Sequence, residues 1–350
     1  MLLSPALRLF PTASAMIAGP AGWLSALLGF FPAAAYTYCA LRLFRLRRED
    51  EGLPQLLMRA APGRAGRAVV LLLGLWALIY TAFILRSGAD RFIVAVFPDS
   101  PRALFVLSMG AAALAAALTP LRCAARSAKL FAPAVLGTLL VVLLSALLSL
   151  RAENLLPVGV SEAPRVLAGA LPVMDLLTWV VLALSFFLPE CASGSFSPRR
   201  ALLCTLGVCV TLSLMSADIV GVFGAALTGE LSWPFFTLVR SLVFFRSIER
   251  IEALVVALWI FPDFLIVSLF LRAARDCLFA AIPRLSRPGP LSGVCLPLLA
   301  AAAAGLGMIV APQADGLFLW SQRIVPAANL FFTLVLLPGV LGLGAIKKRL

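Results

Sequence analysis

Three acids in this sequence stand where acids are expensive. Asp175, Asp218 and Asp263 fall in or beside long apolar runs. An ionisable group at bilayer depth marks a functional candidate, such as a proton relay or an ion or ligand pathway. Asp175 and Asp218 fall near the outer ends of their predicted helices, a headgroup-level position. Asp263 lies about ten residues into the run 253–271, directly after Pro262. A proline there frees a backbone carbonyl one turn earlier, near Leu258. No lysine or arginine lies within that run. The expectation is therefore a protonated Asp263 lining a polar cavity, because an unpaired carboxylate in lipid is costly.

The remaining inventory excludes more than it offers. There is no histidine. That removes the usual metal ligand and general base, and with them a Ser-His-Asp triad. Cys39, Cys123, Cys191, Cys204, Cys209, Cys277 and Cys295 show no C-x-x-C spacing and sit mostly in or beside apolar runs. They read as small buried hydrophobes. Gly221-x-x-Gly224 and Gly339-x-x-Gly342-x-Gly344 lack the lysine and strand context of a phosphate loop, and read as close helix packing. The expectation is no enzyme, no metal and no cofactor.

The elements that must position these residues are membrane helices. Of 350 residues, 62% are hydrophobic and 13% charged, and the mean hydropathy is +1.04. Soluble domains run at ~45–50% apolar and ~25% charged. The fold class is an all-α polytopic membrane protein. Apolar segments are predicted at 21–43, 68–85, 103–118, 130–150, 173–188, 201–223, 253–271, 291–310 and 327–346, with part of another before residue 19. That makes about ten transmembrane helices in a single permease domain, 1–350. The net charge of +13 reads as basic cytoplasmic loops, not as nucleic-acid binding. One alternating set of loops, including Arg45, Arg47, Arg48, Arg59, Arg64, Arg67, Arg122, Arg126 and Lys129, carries twice the basic residues of the other. The poorer set, with Arg86, Arg91, Arg102, Arg151 and Arg165, is assigned outside together with Asp90, Asp99, Glu153 and Glu162. The longest outer loops are 151–173 and 224–252.

One stretch, residues 232–274, ties the pattern together: Trp233-Pro234, then Ile248-Glu249-Arg250-Ile251-Glu252, then Trp259 seven residues after Glu252. Arg246, Glu249, Arg250 and Glu252 are predicted to form an interfacial network, since Arg246 lies three residues before Glu249. Further pieces follow in order: Gly22-Trp23 before a long helix, Asn154-Leu155-x-Pro157-Val158 in a loop, and Phe187-Leu188-Pro189-Glu190 at a helix end. This ordered set resembles the permease subunit of endospore germinant receptors, the GerAB/ArcD/ProY type, within the amino acid–polyamine–organocation superfamily. The similarity covers nearly the whole chain.

The resemblance implies a LeuT-type inverted-repeat fold with two five-helix halves, 1–150 and 174–346, and a first helix truncated at its N-terminus. It implies a broken first helix at Ser4-Pro5-Ala6, with Thr178–Ala183 facing it from the sixth. Here the chain departs from the family pattern: the glycine and acid expected near Val181 and Ala183 are lost, so an unwound sixth helix is not expected. The facing walls would be Ala77 and Thr81 on the third helix, and Ile266 and Phe270 on the eighth. The candidate ligand residues are thus Ser4, Pro5, Ala6, Ala77, Thr81, Thr178, Val181, Ile266 and Phe270. A mostly apolar pocket suits a small, uncharged or amino-acid-like nutrient. The implied partners are that nutrient, the A- and C-type receptor subunits and the lipid bilayer, in the spore inner membrane or the cell membrane. Two rivals stay open: a proton- or sodium-coupled amino-acid transporter, and a scaffold with a degenerate pocket.

Overall fold

A computed structural model describes residues 3–44, 48, 51–95, 97–190, 197–241, 251–287, 289–311 and 313–346. The chain opens with α1 (Leu3–Ala18), a 3₁₀ turn at Gly19–Ala21, and α2 (Gly22–Phe44). The turn is a hairpin. Gly19 takes φ +58°, which favours glycine. A Cβ on Gly22 would sit 2.6 Å from the Ser14 carbonyl oxygen, so the α2 start fits against α1 only without a side chain. The expected break at Ser4-Pro5-Ala6 is not there, because α1 runs unbroken through it. Pro5 lies in the first turn, where its missing N–H has no helical partner to lose.

After α2 comes α3 (Leu53–Ala60), in a stretch expected to be a solvated loop. It is amphipathic, and Leu53, Leu56 and Leu57 are buried. The next helix, α4 (Arg64–Ala95), is 32 residues long. The sequence suggested an end at Leu85, with Arg86, Asp90 and Arg91 in an outer loop. The helix instead continues for ten more residues and takes all three inside it. The next helices are α5 (Arg102–Leu118), α6 (Leu121–Ala146), the short α7 (Ala163–Ala168), α8 (Leu171–Ser185), α9 (Pro198–Phe223) and the short α10 (Ala225–Glu230) and α11 (Pro234–Ser241). The long α12 (Ile251–Ala281) and α13 (Pro290–Ile309) follow. A last rod joins α14 (Ala314–Leu319), α15 (Val325–Leu330) and α16 (Leu337–Ile346) through π-helical turns at Trp320–Ile324 and Phe331–Leu336. α8 is continuous across Thr178–Ala183, as its missing glycine predicts.

Among the described residues, eight stretches are long and apolar enough to cross a membrane, and α5 is a shorter apolar helix. Leu130, Leu136, Leu140 and Leu144 stand exposed along α6, a face that suits lipid and not water. The protein is a multi-pass integral membrane protein. The cysteines divide. Cys209, Cys277 and Cys295 are buried as expected, whereas Cys39, Cys123 and Cys204 are exposed. A small apolar thiol is no less at home against acyl chains than in a core.

The core is centred on α4 and α12, the most extensively packed pair. Gly74 permits it: a Cβ there would meet the Cys277 Cβ at 2.7 Å. Arg272 on α12 closes the end of α5, donating to the carbonyls of Ala116 (2.9 Å) and Thr119. Those carbonyls lack helical partners, and a cation suits the negative end of a helix.

Candidate functional site

The sequence-predicted walls do meet. Ala77, Thr81, Ile266 and Phe270 are all buried where α4 crosses α12, with Thr178 buried on α8 and Val181 half-buried. Yet aromatic rings fill the space between them. Trp179 stacks on Phe270 at 5.4 Å, Tyr80 packs edge-on to Phe270 at 4.9 Å and to Trp179 at 5.4 Å, and Phe332 stacks on Trp76 at 6.0 Å. Thr81 spends its hydroxyl on the Ala77 carbonyl at 2.8 Å, within its own helix. Ser4, Pro5 and Ala6 lie in the first turns of α1. Arg246, Glu249 and Arg250 lie outside the described residues, and Glu252 is placed only as backbone at the start of α12.

Asp263 is buried at 0% exposure, but it is not the unpaired acid that the sequence suggested. Arg91 of α4 makes an ion pair with it. The error has a physical origin. The partner comes from another helix, in a segment whose charges resembled a loop. Arg91 also lies over the Phe236 ring at 5.4 Å. One turn away, Arg86 pairs with Asp90, and Arg102 reaches Asp90 at 3.3 Å. The Arg86 Nε–H donates to the Ala311 carbonyl at 3.2 Å. A usable signal was in the sequence: Arg86 and Asp90 are four residues apart, the spacing that pairs charges on one helix face.

A second polar seam joins α8 to the last rod. The Trp76 indole N–H donates to Asn329 Oδ1 at 2.9 Å. The Thr333 hydroxyl donates to the Asn329 carbonyl at 2.8 Å and shares a hydrogen bond with Thr178 at 3.0 Å. The Asn329 side chain hydrogen-bonds Asp175, which is only 3% exposed. Asp175 is thus buried among helices, and Asp218 on α9 is buried too.

Two cavities of about 190 Å³ flank this core. One lies between α1, α8 and the π turn of the last rod, with Asp175 and Arg323 in its wall. The other lies beside α4 and α11, with Arg91, Trp233, Thr237 and Arg240. Neither is lined by Ala77, Thr81, Ile266 or Phe270. No group of three or more metal-binding side chains occurs among the described residues.

Helices of this number and polarity, with buried acids in the bundle, suit a permease. The sequence pattern of the spore permease family, described as spore germination protein, matches residues 1–280. The chain belongs to that family. No curated protein matches it. In this spore germination permease the motif residues have visible work. Gly22 makes the α1–α2 hairpin possible. The Asn154 amide donates to the Gly221 carbonyl at 2.9 Å and ties the 151–173 loop to the end of α9. Pro234 starts α11.

Proposed function

We propose that this spore germination permease is the nutrient-sensing membrane subunit of a germinant receptor in the spore inner membrane, working with A- and C-type partner subunits. What carries the reading is the family match together with a charged apparatus inside the bundle. The Arg91–Asp263 pair joins the two most tightly packed helices inside a membrane bundle, where buried ions are functional candidates. A two-state movement of α4 against α12 would be felt at this pair, and through it by a partner outside. The packing supports the two-halves reading: α1 touches α8, α2 packs on α9, α4 on α12 and α5 on α13, so the first four long helices each meet the long helix five later, while α6 packs on α12 and α9. The central site at Ala77, Thr81, Thr178, Val181, Ile266 and Phe270 is retained in this proposal. Binding there calls for Trp179 or Phe270 to turn aside.

A coupled amino-acid transporter is the second reading, favoured by Asp175, a deeply buried acid beside a cavity. One pair of measurements separates the two. Spores lacking this chain should lose germination by one nutrient class and keep the rest. The purified chain in proteoliposomes should not accumulate labelled L-alanine under a proton or sodium gradient. Accumulation with an unchanged germination profile would replace the receptor with the transporter.

A further inference from the structure

The cavity between α1, α8 and the last rod has a built polar wall. Its apolar side comes from Phe10, Ala13, Ile17 and Leu176. Its polar lining residues are Asp175, Ser321, Gln322 and Arg323. Asp175 Oδ1 is buried and has no hydrogen-bond partner among the described residues. A carboxylate this deep is costly unless a donor meets it. Arg323 faces the same space and is exposed, and the two form no ion pair with each other among the described residues. The backbone adds an independent sign. Ser321, Gln322 and Arg323 are consecutive in the π turn Trp320–Ile324, and all three line the cavity. Such turns widen a helix and are frequent at functional sites.

We propose that this cavity is a second ligand site, distinct from the aromatic-filled centre, and that it takes a small zwitterion. The ammonium group donates to the Asp175 carboxylate, whose buried Oδ1 turns toward the cavity when the ligand enters. The carboxylate lies toward Arg323 and Gln322, and the short aliphatic part lies against Phe10, Ala13 and Leu176. Charge-assisted hydrogen bonds of this kind are roughly twice as strong as neutral ones. A volume of about 190 Å³, below the ~300 Å³ floor of drug-sized pockets, suits a ligand of amino-acid size. The site does not depend on whether the chain senses or transports, so its failure would leave the receptor reading standing.

The test uses the full chain in nanodiscs of phosphatidylethanolamine and phosphatidylglycerol. Equilibrium dialysis with labelled L-alanine is competed by ethylamine, which keeps only the ammonium, and by propionate, which keeps only the carboxylate. Saturable L-alanine binding is expected, with ethylamine a weaker competitor and propionate the weakest. Asp175→Asn should weaken L-alanine at least tenfold and abolish competition by ethylamine. Arg323→Gln should bring L-alanine down to the affinity of ethylamine and leave ethylamine unchanged. Ile17→Trp at the cavity rim should remove the ethylamine-competed part of L-alanine binding without touching a charge, which keeps the test decisive if Asp175→Asn fails to fold. The proposal is overturned if the folded wild-type chain shows no saturable binding. It is equally overturned if Asp175→Asn binds normally, or if Ile266→Trp in the centre abolishes binding while Ile17→Trp does not.

Discussion

Two acids are buried in the same bundle and are treated in opposite ways. Asp263 meets a guanidinium, and the pair cross-links α12 to α4. Asp175 meets the side chain of Asn329 with part of its carboxylate and leaves Oδ1 without a donor beside a cavity. The contrast separates a charge that the fold satisfies from one that it leaves open. A satisfied buried pair returns its desolvation cost only while both partners remain. An open one adds nothing to the fold, and its use lies with whatever enters the cavity.

The largest effect should therefore come from halving the satisfied pair. Asp263→Leu leaves Arg91 buried at 3% exposure without its counter-ion. Loss of one partner of a buried pair costs about 3–5 kcal/mol. Unfolding of the detergent-solubilised protein by heat or denaturant reads this directly. The double variant Arg91→Leu/Asp263→Leu should recover most of the loss, since two well-packed apolar residues often replace a buried pair without penalty. A single variant within about 1 kcal/mol of wild type, far below the range for a broken buried pair, would mean that Arg91 re-pairs elsewhere, and the distinction between the two acids would fail.

An intermediate effect belongs to the seam that holds Asp175 in place. Asn329→Leu removes the acceptor of the Trp76 indole N–H and leaves that donor buried. The expected cost is about 1–3 kcal/mol, the penalty for a buried group left unsatisfied. Trp76→Phe in the Asn329→Leu background removes the orphaned donor and should lose less than the sum of the two single changes. Strict additivity would show that Trp76 and Asn329 do not act on each other.

These two regions were not equally legible. Apolar run length marked α2, α5, α9 and α13 within a few residues, because a bilayer sets the length of any helix that crosses it. It failed at the end of α4, where Arg86, Asp90 and Arg91 continue the helix. Hydropathy cannot register a charge whose partner is supplied by a distant segment. The same blindness made Asp263 look unpaired. The missing glycine at Val181 did predict a continuous α8, since unwinding needs residues that tolerate it. The π turns of the last rod carry neither a charge pattern nor a glycine that marks them in the sequence. The cavity they open could not be read without the fold, because it joins Phe10, Asp175 and Arg323 from three separate helices.

The smallest stability effect, and the one that tests the comparison most closely, is Asp175→Asn. The change keeps the shape of the side chain and leaves it an oxygen and an amide for the contact with Asn329. It deletes the carboxylate, one oxygen of which has no partner among the described residues. Removing a charge that the fold does not use spares its desolvation, and that gain offsets any weakening of the Asn329 contact. The unfolding midpoint should thus stay within the equivalent of about 1 kcal/mol, or rise, as expected where no buried pair is broken. Asp263→Asn changes the same atoms, yet it takes the counter-ion from Arg91 and should cost clearly more. If the two substitutions destabilise equally, Asp175 has a partner in the folded chain as firm as Arg91 is for Asp263. If Asp175→Asn is neutral in unfolding while small-zwitterion binding is lost, the open oxygen serves a ligand and not the fold.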